Sequence, residues 1–317
     1  MQKLVSYCLM TYNQEDFIQD AIESAFSQEY ENLEIIISDD CSTDRTFDIV
    51  QDLVSKYSGL HKVIVNRNSK NLGIRAHCNK LLYEIASGEY VLLAAGDDVS
   101  DKLRTKEYVD IFEKFPRVMS VSCKSIEVDK HMNPWQNITQ WDGSFSIYTV
   151  EDYIDFKDFI IKSGDSRGLR RDVIRSFPPL EFTKAEDIYL FIRSFLLGSV
   201  CYIRKPLVKR RHHGANVSEM KCTKGDLDAF VLQTQTDINF AFSKGIINDW
   251  VYQKMKRKCD EVHKFFYYNL TPIYYSLPVF FFYVKKKMLN AMKRFSRLPR
   301  RICNLMKKIV DKLGFKV

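Results

Sequence analysis

The first candidate for chemistry is the acidic pair Asp97-Asp98, which follows Gly96 and the apolar run Leu92-Leu93-Ala94-Ala95. Adjacent carboxylates repel, so keeping them together needs a reason. One is a solvated turn that caps the next helix. The other is a hard-cation site, because carboxylate oxygens suit Mg²⁺ or Mn²⁺ bridging a diphosphate. Asp39-Asp40 ends another apolar run, and Glu186-Asp187 stands ahead of Ile188, Phe191, Ile192 and Phe195 at helical spacing. Acids in that third position are also favoured by the helix dipole alone. His212-His213 reads as a surface pair or as metal ligands. Arg167, Arg170 and Arg171 belong to an exposed basic loop or to a phosphate contact. Trp135 and Trp141 read as packing residues or as platforms for a sugar ring.

The elements that must position these groups show in the hydrophobic pattern. Residues 4–9, 33–37, 63–65 and 90–94 have the character of buried strands. Between them the spacing predicts helices: one carrying Phe17, Ile18, Ala21, Ile22, Ala25 and Phe26 behind an Asn13 cap, and one carrying Ile49, Val50, Leu53 and Val54 behind Thr43 or Asp44. A third runs over 74–86. This β-α-β-α-β-α-β order predicts an α/β fold, a Rossmann-like open, mostly parallel sheet with flanking helices. Ligands of such sheets sit beyond the carboxyl ends of the strands, where Thr11-Tyr12-Asn13, residues 39–44 and Gly96-Asp97-Asp98 all fall. Farther on, helices are predicted over 102–115, 150–161 and 186–197, with β-like runs within 118–128. No G-x-G-x-x-G and no Walker-type loop occurs, which argues against dehydrogenase and P-loop chemistry.

Among 317 residues, 45% are hydrophobic and 28% charged, which excludes wholesale disorder, and 12 Gly with 8 Pro exclude collagen-like sequence. The eight cysteines form no C-x-x-C pair, so a zinc ribbon is unsupported and a reducing compartment is expected. The net charge of +8 is unevenly placed. Residues 285–317 hold twelve Lys/Arg against Asp311 alone, whereas the preceding 284 hold 36 Lys/Arg against 39 Asp/Glu. A slightly acidic body with a basic tail speaks against a nucleic-acid-binding field, and no nucleic-acid partner is expected. Residues 265–284 carry no charge, but Asn269, Pro272, Pro278 and several tyrosines suit an interface better than a bilayer core. The tail after it alternates apolar residues with Lys and Arg, as an anchor on anionic lipid does. The expected partner is therefore an anionic membrane surface, contacted through 265–317. Met1-Gln2-Lys3 passes directly into a strand, read as the lack of a secretory signal. The expected location is cytoplasmic, peripheral to the inner face of the plasma membrane.

In chain order, Thr11-Tyr12-Asn13, Asp39-Asp40-Cys41-Ser42-Thr43-Asp44, Asn71-Leu72-Gly73, Gly88-Glu89-Tyr90, Gly96-Asp97-Asp98, Glu186-Asp187 and Arg211-x-His213-x-x-Asn216-x-Ser218 resemble glycosyltransferase family two, over residues 3–218. The resemblance implies a GT-A fold and an inverting, metal-dependent transferase of hexosyl type. It implies a nucleotide-diphosphate sugar donor, a UDP-sugar first, and a divalent cation, Mn²⁺ or Mg²⁺. On this resemblance Thr11, Tyr12 and Asn13 cradle the base and ribose, Asp40 accepts the base imide N–H, and Arg75 approaches the donor, while Asp39 is structural. Asp98 and His213 hold the metal, and Asp97 holds the donor ribose or sugar. Asp187 is the catalytic base, with Glu186 orienting it or the acceptor, and Arg167 or Arg170 meets a phosphate of a lipid-linked acceptor. The chain departs from the family in Gly96-Asp97-Asp98, where D-x-D is frequent, and in the doubled histidine after Arg210-Arg211.

These roles agree with the chemistry of glycosyl transfer. The transition state resembles an oxocarbenium ion, charge grows on the departing diphosphate, and the acceptor hydroxyl must lose its proton. The base lies on the sugar face opposite the leaving group, so it cannot be a metal ligand. A carboxylate far in sequence from Asp97-Asp98 meets that condition. Residues 1–219 are thus expected to form the transferase domain, with 1–100 as its nucleotide-binding half and 101–219 as its acceptor half. Residues 220–317 form a helical region ending in the aromatic segment and the basic amphipathic tail. The expected activity moves a sugar to a hydroxyl of a lipid-linked glycan, in surface polysaccharide or lipopolysaccharide biosynthesis. The alternatives are a polyprenyl-phosphate glycosyltransferase and a non-catalytic, membrane-anchored sugar-nucleotide-binding protein.

Overall fold

Strands buried on both faces need helices on both sides, and the first ninety-odd residues supply them in turn. The computed structural model describes residues 2–135, 143–155, 166–182, 186–214, 221–268 and 273–274, the side chains of 221–222, 262–268 and 273–274 excepted. Its first half runs β1 (Val5–Thr11), α1 (Ile18–Phe26), β2 (Leu33–Asp39), α2 (Thr46–Lys56), β3 (Lys62–Arg67), α3 (Ile74–Lys80) and β4 (Tyr90–Ala95). β2, β1 and β4 pair in parallel, with β3 parallel outside β2. Alternate residues separate to the two faces. Tyr7, Leu9, Ile35 and Ile37 pack with Ile18, Ile22, Ala25 and Val50 of α1 and α2. Cys8, Ile36, Val91 and Leu93 pack with Cys78 of α3 and with Leu81 and Leu82.

Two helix expectations need correction. α1 begins at Ile18 without a side-chain cap, because Asn13 is turned into the left-handed region (φ 50°) and serves a loop instead. The helix expected over 74–86 ends at Lys80 and passes into a π-helical turn at Leu81–Ile85. Asp44 does serve α2, its Oδ1 accepting the Thr46 amide at 2.9 Å.

The second half continues with β5 (Val99–Ser100), α4 (Arg104–Lys114), β6 (Val118–Asp129), β7 (Phe145–Tyr148), α5 (Val150–Asp155), β8 (Gly168–Arg170), α6 (Arg171–Arg175), α7 (Glu186–Leu197) and β9 (Ser199–His212). Then come β10 (Lys221–Cys222), α8 (Lys224–Ser243), α9 (Asp249–Tyr268) and β11 (Ile273–Tyr274). The main sheet has the order β3-β2-β1-β4-β8-β6-β9-β5, with β7 also on β9. It is mixed, not mostly parallel as expected. β8 lies antiparallel between β4 and β6, and β5 and β7 lie antiparallel to β9.

Nor can this sheet be flat. β4 and β5 are four places apart in it, about 19 Å at the usual strand spacing. The four peptide steps from Ala95 to Val99 reach at most about 14 Å. The sheet must curl, and register shifts around Lys124 in the β6–β9 pair mark irregularities of the kind that bend such a ribbon. Curling brings the end of β9 to the carboxyl end of β4.

α8 and α9 pack on α7 through Leu227, Phe230, Ile238, Val251 and Met255 against Ile188, Tyr189, Ile192 and Leu196. Beside this core Arg193 forms a fully buried, two-point ion pair with Asp237 (2.7 and 2.8 Å). Thr223 and Asp226 form a reciprocal cap at the start of α8. Among the described residues no helix is long and apolar enough to cross a membrane. Apart from the backbone of 265–268 and 273–274, the aromatic segment and basic tail lie outside the described residues. So do Trp141, residues 163–165, Asn216 and Ser218.

Candidate active site

The site is built first from the loops that leave β1 and β2. Asn13 Oδ1 accepts the Thr43 amide (2.8 Å), while the Asn13 amide donates to Ser42 Oγ (2.9 Å). Asp39 is buried, accepts the Ser42 amide (3.0 Å) and hydroxyl, and has Arg67 Nε at 3.4 Å. Asp40 accepts Asn68 Nδ2 (2.8 Å) and the amides of Leu72 and Gly73 (both 2.9 Å). Gly73 itself has φ 75°, a conformation that favours glycine. Residues 11–13, 39–44 and 71–73, distant in sequence, are thereby sewn into one cradle. Tyr12 stays 42% exposed at its edge. Three of about four acceptor positions on the Asp40 carboxylate are occupied by the cradle, so its expected contact with a base rests on the one left. Arg75 donates through Nη1 to the Leu180 carbonyl (3.1 Å), which ties α3 to the segment ahead of α7.

The acidic pair forms a second wall, at the end of β4 beside β1. A Cβ on Gly96 would lie 2.4 Å from Gln14 Oε1 and 2.8 Å from Thr11 Oγ1, so the turn into Asp97 closes directly over β1. Asp97 Oδ2 lies 3.0 Å from His213 Nε2, and the His213 ring packs on Phe17 at 4.5 Å. Asp98 Oδ1 accepts the Arg211 amide at 2.9 Å. The Arg211 guanidinium pairs with Asp20 (2.6 Å) and lies 4.9 Å over the same Phe17 ring. Phe17, Asp20 and the Arg211 side chain were not singled out by sequence reasoning, since helical spacing makes Phe17 a core residue. The doubled histidine resolves by strand geometry, in which neighbours project oppositely. His212 turns away to Glu127 (2.6 Å) and stacks on Trp135 (4.1 Å).

Among the described residues no three His, Cys, Asp or Glu side chains form a ready-made metal cage. Asp97 and His213 meet at this wall and Asp98 is the next residue in the chain; carboxylate oxygen and imidazole nitrogen are donor types that divalent cations accept. Such ions are commonly held by one or two carboxylates, with substrate phosphates and water completing the shell.

The third acidic pair opens α7. Glu186 is buried, and burial pushes its carboxyl up to about 8; the Asp187 charge adds to this and Arg167 opposes it. Asp187 is half-buried, and its Oδ1 accepts the Ile188 amide at 2.9 Å. α3 stands between this pair and the cradle. Its His77 meets the Ser38 hydroxyl at 2.6 Å, and its buried Cys78 thiol is raised by desolvation and then by the Glu186 charge.

The exposed basic loop does not exist in the described part of 163–171. β8 inserts between β4 and β6 and carries the arginines inward. Arg170 donates to the carbonyls of Val118 (3.2 Å) and Phe112 (2.7 Å), which removes it from the acceptor contact expected of it. Arg171 donates to the carbonyls of Gly88 (2.8 Å) and Leu82 (3.1 Å). Arg167 is fully buried, its guanidinium 4.8 Å from the Phe191 ring of α7, and so faces that helix rather than solvent.

Comparison with known proteins agrees with this geometry. An uncharacterized protein of Mycobacterium tuberculosis (strain ATCC 25618 / H37Rv) is 33% identical over 275 residues, covering 79% of this chain and 75% of that protein. EpsE of Bacillus subtilis (strain 168) is 38% identical over 126 residues, 40% of this chain and 44% of that protein. The Escherichia coli UDP-Glc:alpha-D-GlcNAc-diphosphoundecaprenol beta-1,3-glucosyltransferase WfaP is 34% identical over 127 residues, 40% of this chain and 48% of that protein. The chain thus matches less than half the length of the last two. Its fold resembles Staphylococcus aureus TarS 1-349 in complex with UDP-GlcNAc (TM-score 0.64, 18% identity, 84% of this chain and 76% of that one). It also resembles the Pyrobaculum calidifontis mannosyltransferase PcManGT in complex with GDP-Man and Mn²⁺ (TM-score 0.55, 16% identity, 83% and 70%). The sequence profile of Glycosyl transferase family 2 matches residues 6–177, more than half the chain, and with the GT-A-like sheet and its acidic walls this establishes that the chain belongs to that family.

Proposed function

We infer that the protein is an inverting glycosyltransferase. It moves a sugar from a nucleoside-diphosphate donor, a UDP-sugar first, to a hydroxyl of a lipid-linked glycan in surface polysaccharide assembly. What supports the reading most is the pairing of Asp97 with His213 at 3.0 Å, across 116 residues, after a turn that packs on Thr11 and Gln14 beside the cradle of Asn13, Asp40 and Gly73. The donor and acceptor for which WfaP is named, and the UDP-GlcNAc bound to TarS, support the substrate class.

In this reading the base and ribose lie in the turn of Thr11, Tyr12 and Asn13, and Asp97 holds the donor sugar or ribose. Asp98 and His213 would hold a divalent cation, which as a Lewis acid stabilises charge on the leaving diphosphate. Asp187 takes the proton of the acceptor hydroxyl. The hydroxyl oxygen then bonds to the anomeric carbon as the bond from that carbon to the diphosphate breaks. The bonding electrons leave with the nucleoside diphosphate, and the anomeric centre inverts. Glu186 keeps its proton at neutral pH and so offers an O–H donor to orient the acceptor or Asp187. The tail at 265–317 would hold the enzyme against anionic lipid, where such acceptors reside.

The test is metal-dependent nucleotide release from a panel of nucleotide sugars, with membrane lipids as acceptors. Release from one donor is expected, with Asp187→Asn slower by about 10²–10⁴-fold. An Asp187→Asn enzyme as fast as the wild type would remove the base from this scheme.

A further inference from the structure

We propose that the outward face of Trp135 is a binding platform for a pyranose ring of the acceptor glycan, held in place by His212 and Glu127. The proposal rests on the transferase reading and names where the acceptor lies. Trp135 is 58% exposed although it is among the largest apolar side chains of the protein. It is not a loose surface residue. Its amide donates to the Glu127 carbonyl (2.9 Å), and the turn before it is closed by a bridge between Val128 and Pro134. Asp129 accepts the amides of His131 and Asn133 inside that turn, both at 2.9 Å.

One face of the indole is covered by the His212 imidazole, with ring centres 4.1 Å apart and planes 26° from parallel. That imidazole is fixed in turn by Glu127 Oε2 at 2.6 Å. The ring is thus pre-organised, while more than half of the residue's surface stays exposed. Pre-organisation lowers the entropy lost on binding. The negative face of an aromatic ring attracts the partly positive C–H bonds that line one side of a pyranose. His212 is also one residue from His213, which closes on Asp97. Trp135 and the donor wall thus flank the same end of β9, and a glycan of several residues seated on Trp135 can pass that end toward Asp97.

The experiment uses the full chain as wild type, Trp135→Phe and Trp135→Ala, with saturation-transfer NMR. The probes are cellotriose, maltotriose and chitotriose, and UDP is titrated separately. The wild type is expected to transfer saturation to ring C–H protons of at least one probe. Trp135→Ala should bind that probe about tenfold or more weakly, Trp135→Phe close to wild type, and UDP should bind all three alike. Unchanged glycan affinity in Trp135→Ala, or no transfer from wild type to any probe, overturns the platform. So does a parallel loss of UDP affinity, which would assign the ring to the donor. Nucleotide release by the wild type separates the two readings. Glycan binding on Trp135 without any release would leave the platform and remove the transferase, whereas release with an indifferent Trp135 would do the reverse.

Discussion

A carboxyl buried at a helix start beside a second carboxylate holds its proton far longer than one in water, and Glu186 is that case. Its folded value of about 8 lies above the ordinary carboxylate range. The neutral form therefore stabilises the fold fully below the unfolded value of about 4.3, and this contribution is lost as pH rises through about 8. Thermal unfolding between pH 5 and 8 should show a steeper fall in Tm for wild type than for Glu186→Gln, which cannot ionise. Activity has its own expected signature. An alkaline limb in kcat/KM near pH 8 should be present in wild type and absent in Glu186→Gln, if the proton on Glu186 is what the acceptor needs. At the other wall, His213→Ala should raise the metal concentration needed for half-maximal nucleotide release by roughly 10–100-fold, the usual scale for weakening a metal's surroundings. An unchanged metal titration would place the cation elsewhere.

Elements are held in register here by close backbone approaches and buried charge rather than by apolar area alone. A Cβ at Gly88 would lie 2.5 Å from the Ser6 nitrogen and 2.8 Å from the Val5 carbonyl carbon, both main-chain atoms of β1. Gly88→Ala must displace that strand, and a loss of about 1–3 kcal/mol in urea unfolding is expected. α7 and α8 are joined by Arg193 and Asp237, with Arg193 also donating to Tyr83 OH (3.1 Å) and the Pro178 carbonyl (2.9 Å). Breaking the pair with Arg193→Met takes the ion-pair partner from the buried Asp237 carboxylate, which keeps its hydrogen bond from Gln233 Nε2 (3.0 Å), and should cost about 3–5 kcal/mol. Replacing both, as Arg193→Met with Asp237→Leu, should recover most of that. If the double variant is as unstable as the single, the pair is more than mutual neutralisation.

For the whole molecule, the helical region after residue 220 completes the core around α7. Phe177, Leu180, Ile188, Ile192 and Leu196 share one apolar cluster with Leu227, Phe230, Ile238, Val251 and Met255. Ending the chain at residue 219 would open that cluster, so the truncated protein is expected to unfold without a cooperative transition and to bind a hydrophobic dye. A truncated form that melts sharply and releases nucleotide would show that residues 1–219 suffice. The curl of the sheet belongs to the same scale. It draws Asp97, at the end of β4, to His213, just past β9, although the strands are three places apart in the sheet order.

What the sequence determined by itself is what local periodicity and residue type can encode. The β-α alternation of residues 5–95 is legible because each strand and helix carries its own apolar run or stripe in the sequence, and α7 is legible from Ile188, Phe191, Ile192 and Phe195. The acidic pairs and His213 can be singled out as candidates because chemistry limits which side chains can serve. Tertiary structure decided the rest. β8 is three residues long between basic neighbours, and nothing in Gly168-Leu169-Arg170 says that β4 and β6 will enclose it. The division of labour between His212 and His213, the proton on Glu186, and the withdrawal of Arg170 into backbone contacts all depend on groups dozens of residues away. Burial, desolvation and strand pairing act through space, and one chain position carries no record of its distant neighbours until the sheet closes.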